Sequence, residues 1–257
     1  MKILFNRVAW LFLIIALLAG CKKKSSSPSG PTAPEIPDGD YHAPKAAEAP
    51  VINGIGDESC WQNAAWASID HLWLGQAATP SDFSGRYKIV WTTEKLYFLV
   101  EITDEKLSDT HADPLQDYYN DDCLEIFLDE NHSGGNHQNN FNAFAYHIAL
   151  DGRAVDMSAS GAPREYTRHI QISRTSNGTV HTWEVAITVY TDAYSDASQS
   201  NPTAVLAAGK DLGFAIAYCD ADNSGAREHF YGSIDIPGSN KNVAWQNASV
   251  FGELLLQ

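Results

Sequence analysis

From residue 96 onward the chain is written in short alternating runs. In Leu96-Tyr-Phe-Leu-Val-Glu-Ile102 the residues at 96, 98, 100 and 102 are all apolar, the period of a strand with one buried face. Leu124, Ile126 and Leu128 alternate with Glu125 and Asp129 in Cys123–Asp129. The same period places Phe144, Tyr146, Ile148 and Leu150 on one face, then Trp183, Val185 and Ile187, then Leu212, Phe214, Ile216 and Tyr218, with a last run at Val250–Leu256. Turn clusters separate them, at Asn131–Asn140, Asp151-Gly152, Asn177-Gly178 and Asp220–Gly225. Many short strands without a long helical period predict an all-β fold, an antiparallel, jelly-roll-like β-sandwich. Trp61, Trp91 and Trp183 are assigned to its core, and the Ala/Ser-rich stretch 192–209 to a long loop or short helix.

The first fifty residues follow different rules. Lys2 and Arg7 precede an uncharged apolar run, Val8 to Gly20. Thirteen residues at ~1.5 Å each fall short of a ~30 Å hydrocarbon core, so residues 1–20 predict a signal peptide rather than a spanning helix. Leu18-Ala19-Gly20-Cys21 resembles a bacterial lipobox, which makes Cys21 the expected lipidation site and the new N-terminus. Residues 21–48, rich in Ser, Pro, Ala and Lys, predict a flexible lipid-anchored linker, and 49–257 the folded domain. The expected location is the bacterial cell envelope, on the outer membrane or cell surface, held by acyl chains.

The formal charge of −15 argues against nucleic acid as a partner, because such a field repels phosphates. Cys60, Cys123 and Cys219 allow one disulfide with one thiol left over in an exported compartment, with the pairing open. Catalytic signatures are absent: there is no G-x-S-x-G elbow, no phosphate-cradling loop and no H-E-x-x-H helix. His132 and His137 share a Gly/Asn loop and are the one histidine pair close enough in sequence to suggest a metal. Glu125 and Asp129 invite comparison with the acid pair of jelly-roll glycosidases. Four strand residues span roughly 13 Å at ~3.3 Å each, too far for carboxyl groups that must lie ~5–9 Å apart.

Several motifs stand in an order that resembles family 9 carbohydrate-binding modules. Val51-Ile-Asn-Gly-Ile-Gly-Asp-Glu58 with Trp61 is similar to that family's opening "I-D-G-x-x-D-E-x-x-W". Val90-Trp91 with Lys95–Asp104 resembles "L-W-D-x-x-x-L-Y-x-L-x-x-V-x-D", and Asp122–Asn131 resembles "D-S-V-E-I-F-I-D-E-N". Leu212-Gly-Phe through Asp220-Ala-Asp is similar to "I-G-F…N-D-A-N", and Asn242–Leu254 to the closing "N-x-S-W-x-x-P-S-x-F-G-x-L". The resemblance spans residues 50–256.

The resemblance implies a sandwich that clamps a sugar between two aromatic rings. The positions that match are Tyr119, where the family has Trp, and Trp245. Glu125 and Asn242 match groups that hydrogen-bond sugar hydroxyls. A family Arg that grips the sugar falls on Ala145, and His147, on the same strand face, is the expected partial replacement. Arg227–Ser233 departs from the family text and is a source of extra contacts. The family also holds structural calcium, for which the acidic stretches 104–113 and 129–140 offer oxygens. Sugars present apolar C–H faces and polar rims, so aromatic plates with a few polar groups suit them independently of any resemblance. The plain alternative makes Tyr119 and Trp245 covers of the sandwich edge and Glu125 a solvated strand residue.

The expected function is non-catalytic capture of poly- or oligosaccharide by a membrane-anchored module, in polysaccharide catabolism beside neighbouring hydrolases or uptake proteins. Two other classes stay open. One is a haem or electron-transfer sandwich, with Met157, the only methionine beyond the leader, as axial ligand. The other is a glycoside hydrolase.

Overall fold

A computed structural model describes residues 40–222 and 225–257. The signal-peptide and lipidation assignments, Cys21 included, lie outside the described residues. Among the described residues no helix is long and apolar enough to cross a membrane.

Two sheets face each other. One runs in the order β10 (Ile170–Asn177), β11 (Val180–Ile187), β5 (Leu96–Asp104), β4 (Phe83–Trp91), β2 (Ala67–Ile69). The other runs β1 (Tyr41–Ala43), β14 (Gly252–Leu256), β12 (Asp211–Asp220), β6 (Cys123–Asp129), β7 (Phe144–Ala149), β8 (Ala154–Met157), β9 (Pro163–Glu165). β13 (His229–Gly232) pairs with the C-terminal half of β12 and with β3 (His71–Gly75). Pairings between named strands are antiparallel except β1 with β14. The architecture is the all-β sandwich that the alternation predicts.

The alternating faces meet as expected. Phe98, Val100 and Ile102 of β5 and Trp183, Val185 and Ile187 of β11 pack against Leu124, Ile126, Leu128, Phe144, Tyr146, Phe214 and Ile216. Trp91 and Trp183 are buried here, and Trp61 is buried outside, against Tyr97 and Leu99 on the back of β5. Residues 192–209 form a loop without helix.

Two features differ from the sequence reading. Residues 40–48 belong to the folded part: Tyr41 and Ala43 are buried, and Tyr41 donates its hydroxyl to the Ala65 carbonyl. Three residues are too few for a period of two to register, so the stretch reads as linker. The other difference concerns the outer face of the larger sheet. Cys123, Glu125 and Phe127 point away from the main core, yet all of β6 is buried. Trp73, Phe230, Ile234, Ile236, Ala244 and Phe251 form a second apolar layer over Phe127, Ala145, Ala215 and Ala217. A cavity opens through this second layer.

Candidate functional site

Glu125 lies at mid-strand on the outer face, opposite His147 of β7 and Ala217 of β12. It is 1% exposed, so it is not the solvated strand residue of the plain alternative. A carboxylate buried this deeply needs donors. His147 Nε2 is 3.0 Å from Glu125 Oε1, Cys219 donates its thiol to the same oxygen at 2.9 Å, and Arg227 Nη1 stands 3.6 Å away. Burial alone would raise the Glu125 pKa. The His147 imidazolium, then Arg227 and the Cys219 thiol, more than offset it and hold the group below its ordinary value. Burial correspondingly opposes the charge on His147, but Glu125 and then Asp156 raise its pKa. All three contacts fall on Oε1.

His147 does not take the role of the absent family arginine. Its second nitrogen, Nδ1, contacts the Ala145 carbonyl at 3.1 Å, so both ring nitrogens are engaged inside the protein. The guanidinium with free capacity is Arg227, from the segment between β12 and β13. It packs 4.1 Å over the Phe230 ring and 5.8 Å from the Tyr119 ring, touches Cys219 Sγ at 3.2 Å, and keeps a buried Nε without a partner.

These groups form one wall of a cavity of about 520 Å³. Tyr119, Glu125, His147, Asn242 and Trp245, the five residues singled out by sequence, all line it. So do Tyr118, Asp156, Met157, Arg227 and Phe230. Tyr119 sits on the 105–122 loop and is 40% exposed. Its neighbour Tyr118 packs edge-on against both Tyr119 and His147. Trp245 is carried by the 237–247 segment and packs on the second apolar layer. His137 buttresses that segment: its Nε2 contacts the Ala244 carbonyl at 2.7 Å, and its backbone N–H donates to Gln246. His132 pairs instead with Asp211, so the two loop histidines do not converge on a metal.

Asp156 brings a second carboxyl group to the cavity, and burial pushes its pKa up to about 7. Its oxygens accept the Ala145 and Met157 backbone N–H groups, which fixes it as part of the wall. Asp129, the other acid of the glycosidase comparison, accepts N–H groups of Asn131 and Gly134 and ties its own turn. Met157 and His147 share the cavity, but His147 has no nitrogen left for a haem iron.

At the end of the sandwich beyond Cys123, carboxylate oxygens of Asp104, Asp122 and Asp220 come within 4.8 Å of one another. Asp104 ends a strand of the smaller sheet, Asp220 ends β12 of the larger, and Asp122 immediately precedes β6. Asp122 accepts N–H groups from Ser108 and Ala221, and Asp104 accepts from Lys106 and Tyr218. Asp220 Oδ2 is buried without a partner. Burial and mutual repulsion push the pKa of Asp122 and Asp220 up to about 8. Of the two acidic stretches proposed from sequence, only the first contributes to this cluster, through Asp104.

Tyr118 and Asp156 escape sequence assignment, and Arg227 is singled out only within the 227–233 stretch. Tyr118 adjoins an assigned residue, and the Arg227 stretch stands out only by its departure from the family text. Asp156 sits in an alternating run with no signal of its own.

The carbohydrate family 9 binding domain-like family matches residues 52–257. The chain is 27% identical over 207 residues to endo-1,4-beta-xylanase A of Thermoanaerobacterium saccharolyticum, and 25% identical over 208 to exoglucanase XynX of Acetivibrio thermocellus. Each match covers 80% of this chain but only 15% and 16% of those longer proteins. Among solved structures, a family 9 carbohydrate-binding module of Caldicellulosiruptor kristjanssonii in complex with cellotriose superposes with a TM-score of 0.62 at 23% identity, covering 85% of this chain and 93% of that one. A putative carbohydrate-binding protein of Bacteroides uniformis shares the fold at TM-score 0.54 and 11% identity, covering 85% and 99%.

Proposed function

The chain belongs to the carbohydrate family 9 binding domain-like family, and we propose that its cleft between Tyr119 and Trp245 holds a sugar of a poly- or oligosaccharide without cutting it. One observation carries this reading. Five residues from three segments distant in sequence, 119–125, 147 and 242–245, line a single cavity with aromatic rings at the surface and, at its base, a carboxylate whose contacts all fall on one oxygen. In this reading the rings cover the apolar sugar face, Glu125 and Asn242 take hydroxyl protons or oxygens, and Arg227 supplies the guanidinium that Ala145 cannot.

The cavity's two buried carboxylates are not set up as an acid–nucleophile pair. Glu125 is held ionised by fixed cations, and Asp156 is spent on backbone N–H groups. We further propose that Cys21 anchors the module at the cell envelope, where it captures saccharide for neighbouring hydrolases or an uptake system.

A structural calcium ion completes the reading. Calcium takes six to eight oxygens, and the unpartnered Asp220 Oδ2 fits an oxygen-ligated cation held with Asp104 and Asp122. Such an ion would offset most of the charge of the three acids, tie the ends of β5 and β12 together and fix both ends of the loop carrying Tyr119. The test is calorimetric titration of the full chain with cello- and xylo-oligosaccharides, with a glycan array and with added chelator. The expected result is saccharide binding that Trp245→Ala abolishes and a melting point lowered by chelator. Equal binding by wild type and Trp245→Ala, or reducing sugar released by wild type but not by Glu125→Gln, overturns the site or its non-catalytic role.

A further inference from the structure

Cys123 of β6 and Cys219 of β12 are register partners on adjacent antiparallel strands. Partners in register project to the same face, and their Cα atoms lie ~4.5–5.5 Å apart, inside the ~4.4–6.8 Å range a disulfide spans. Both sulfurs and a Glu125 carboxylate oxygen lie within 4.8 Å of one another. In the structure all three described cysteines are free thiols, and Cys219 uses its proton to donate to Glu125. Cys60 packs on the back of the other sheet, against the Trp61 cluster, and cannot reach either partner. At position 123 the resembled family text carries serine, so the pair belongs to this chain.

We propose that Cys123 and Cys219 form a cross-strand disulfide beneath the cleft, the oxidative modification site of the domain, with Cys60 as the remaining thiol. The bond forms by exchange with an oxidising protein disulfide or oxidised glutathione. The two Sγ atoms join and lose two protons and two electrons, and the donor disulfide is cleaved to two thiols. Both cysteines are essentially inaccessible in the fold, so exchange belongs to folding, when β6 and β12 first meet. The native thiols resist later attack. Burial raises the Cys219 pKa, and the Cys219 contact together with burial raises that of Cys123. The bond would replace the thiol donor to Glu125, leaving His147 and Arg227 to hold the carboxylate.

The experiment refolds the full chain from denaturant in a glutathione redox mixture or in dithiothreitol, alkylates it under denaturing conditions and maps the peptides. The expected result is a Cys123–Cys219 peptide pair in the oxidised sample with Cys60 alkylated. The melting midpoint should stand roughly 5–10 °C above the reduced form, a shift that Cys219→Ser removes. Alkylated Cys123 and Cys219 after oxidative refolding, or either one joined to Cys60 or Cys21, overturns the proposal. The peptide map reads the same whether or not the cleft binds sugar, so its failure is distinct from failure of the binding reading.

Discussion

Two glutamates are buried on the outer faces of the two sheets, and they have opposite surroundings. Glu184 on β11 is 0% exposed and fully enclosed. Its Oε2 accepts the Asn53 and Gly54 backbone N–H groups, at 3.0 and 2.7 Å, and its Oε1 the Trp61 indole N–H at 3.2 Å. Glu125 on β6 is 1% exposed but borders a cavity, and its contacts are side chains crowded on one oxygen. Neutral, fixed donors on both oxygens make Glu184 a clasp that folds the 50–61 segment onto the sheet. Charged donors on one side of Glu125 leave the other side for a ligand. Burial of a carboxylate therefore does not mark a site; the kind and placement of its donors does.

The largest effect should come from breaking the clasp. Glu184→Leu orphans three N–H donors and should cost about 3–5 kcal/mol of folding stability in chemical denaturation. Saccharide affinity of the fraction still folded should stay within a few-fold of wild type. A large affinity loss in stably folded protein would erase the contrast between the two glutamates. Trp245→Ala should do the reverse, weakening saccharide binding roughly 30-fold or more while changing stability by about 1 kcal/mol or less, because Trp245 is only half-buried.

Arg227→Gln should weaken binding by roughly 10-fold and lower stability modestly, since Glu125 keeps His147. Arg227→Lys should restore the stability more than the affinity. Equal recovery of both would make Arg227 a counter-ion only.

The smallest effect is a pH slope. Asp156, raised to about 7, is ionised in the unfolded chain but protonated in the fold between ~4 and ~7, so stability falls as pH rises through that window. His147, raised in the fold, contributes fully below its unfolded value near ~6.5, and that contribution is lost as pH rises through its folded value. Glu125, lowered in the fold, contributes above ~4.3 and is flat near neutrality. In saturating calcium, which takes Asp122 and Asp220 out of the titration, stability should thus drop by about 1 kcal/mol from about pH 6 to 8, and His147→Gln should flatten the upper part of the slope. A rise over that range would remove the ion pair from the account of the site.

The sandwich was legible because one buried face per strand leaves a period of two: β5, β6, β7, β11, β12 and β14 all announce themselves this way. β1 and β2 have three residues each and carry no period. β4 does place Phe83, Tyr87, Ile89 and Trp91 on the core side, but Gly85 interrupts the run. The residues of the cleft were legible through ordered motifs, Tyr119, Glu125, Asn242 and Trp245 among them.

The chain's own pattern thus determined the sheet faces and which aromatic and acidic residues to watch. Tertiary structure alone decided the rest. Alternation tells which way a side chain leaves its strand, not what is laid over it. The second apolar layer that buries Glu125, the approach of Arg227 from another loop, and the meeting of Asp104 with Asp122 and Asp220 all depend on contacts between segments far apart in sequence. Such contacts leave no periodic trace, because each is set by register and packing between strands rather than along one.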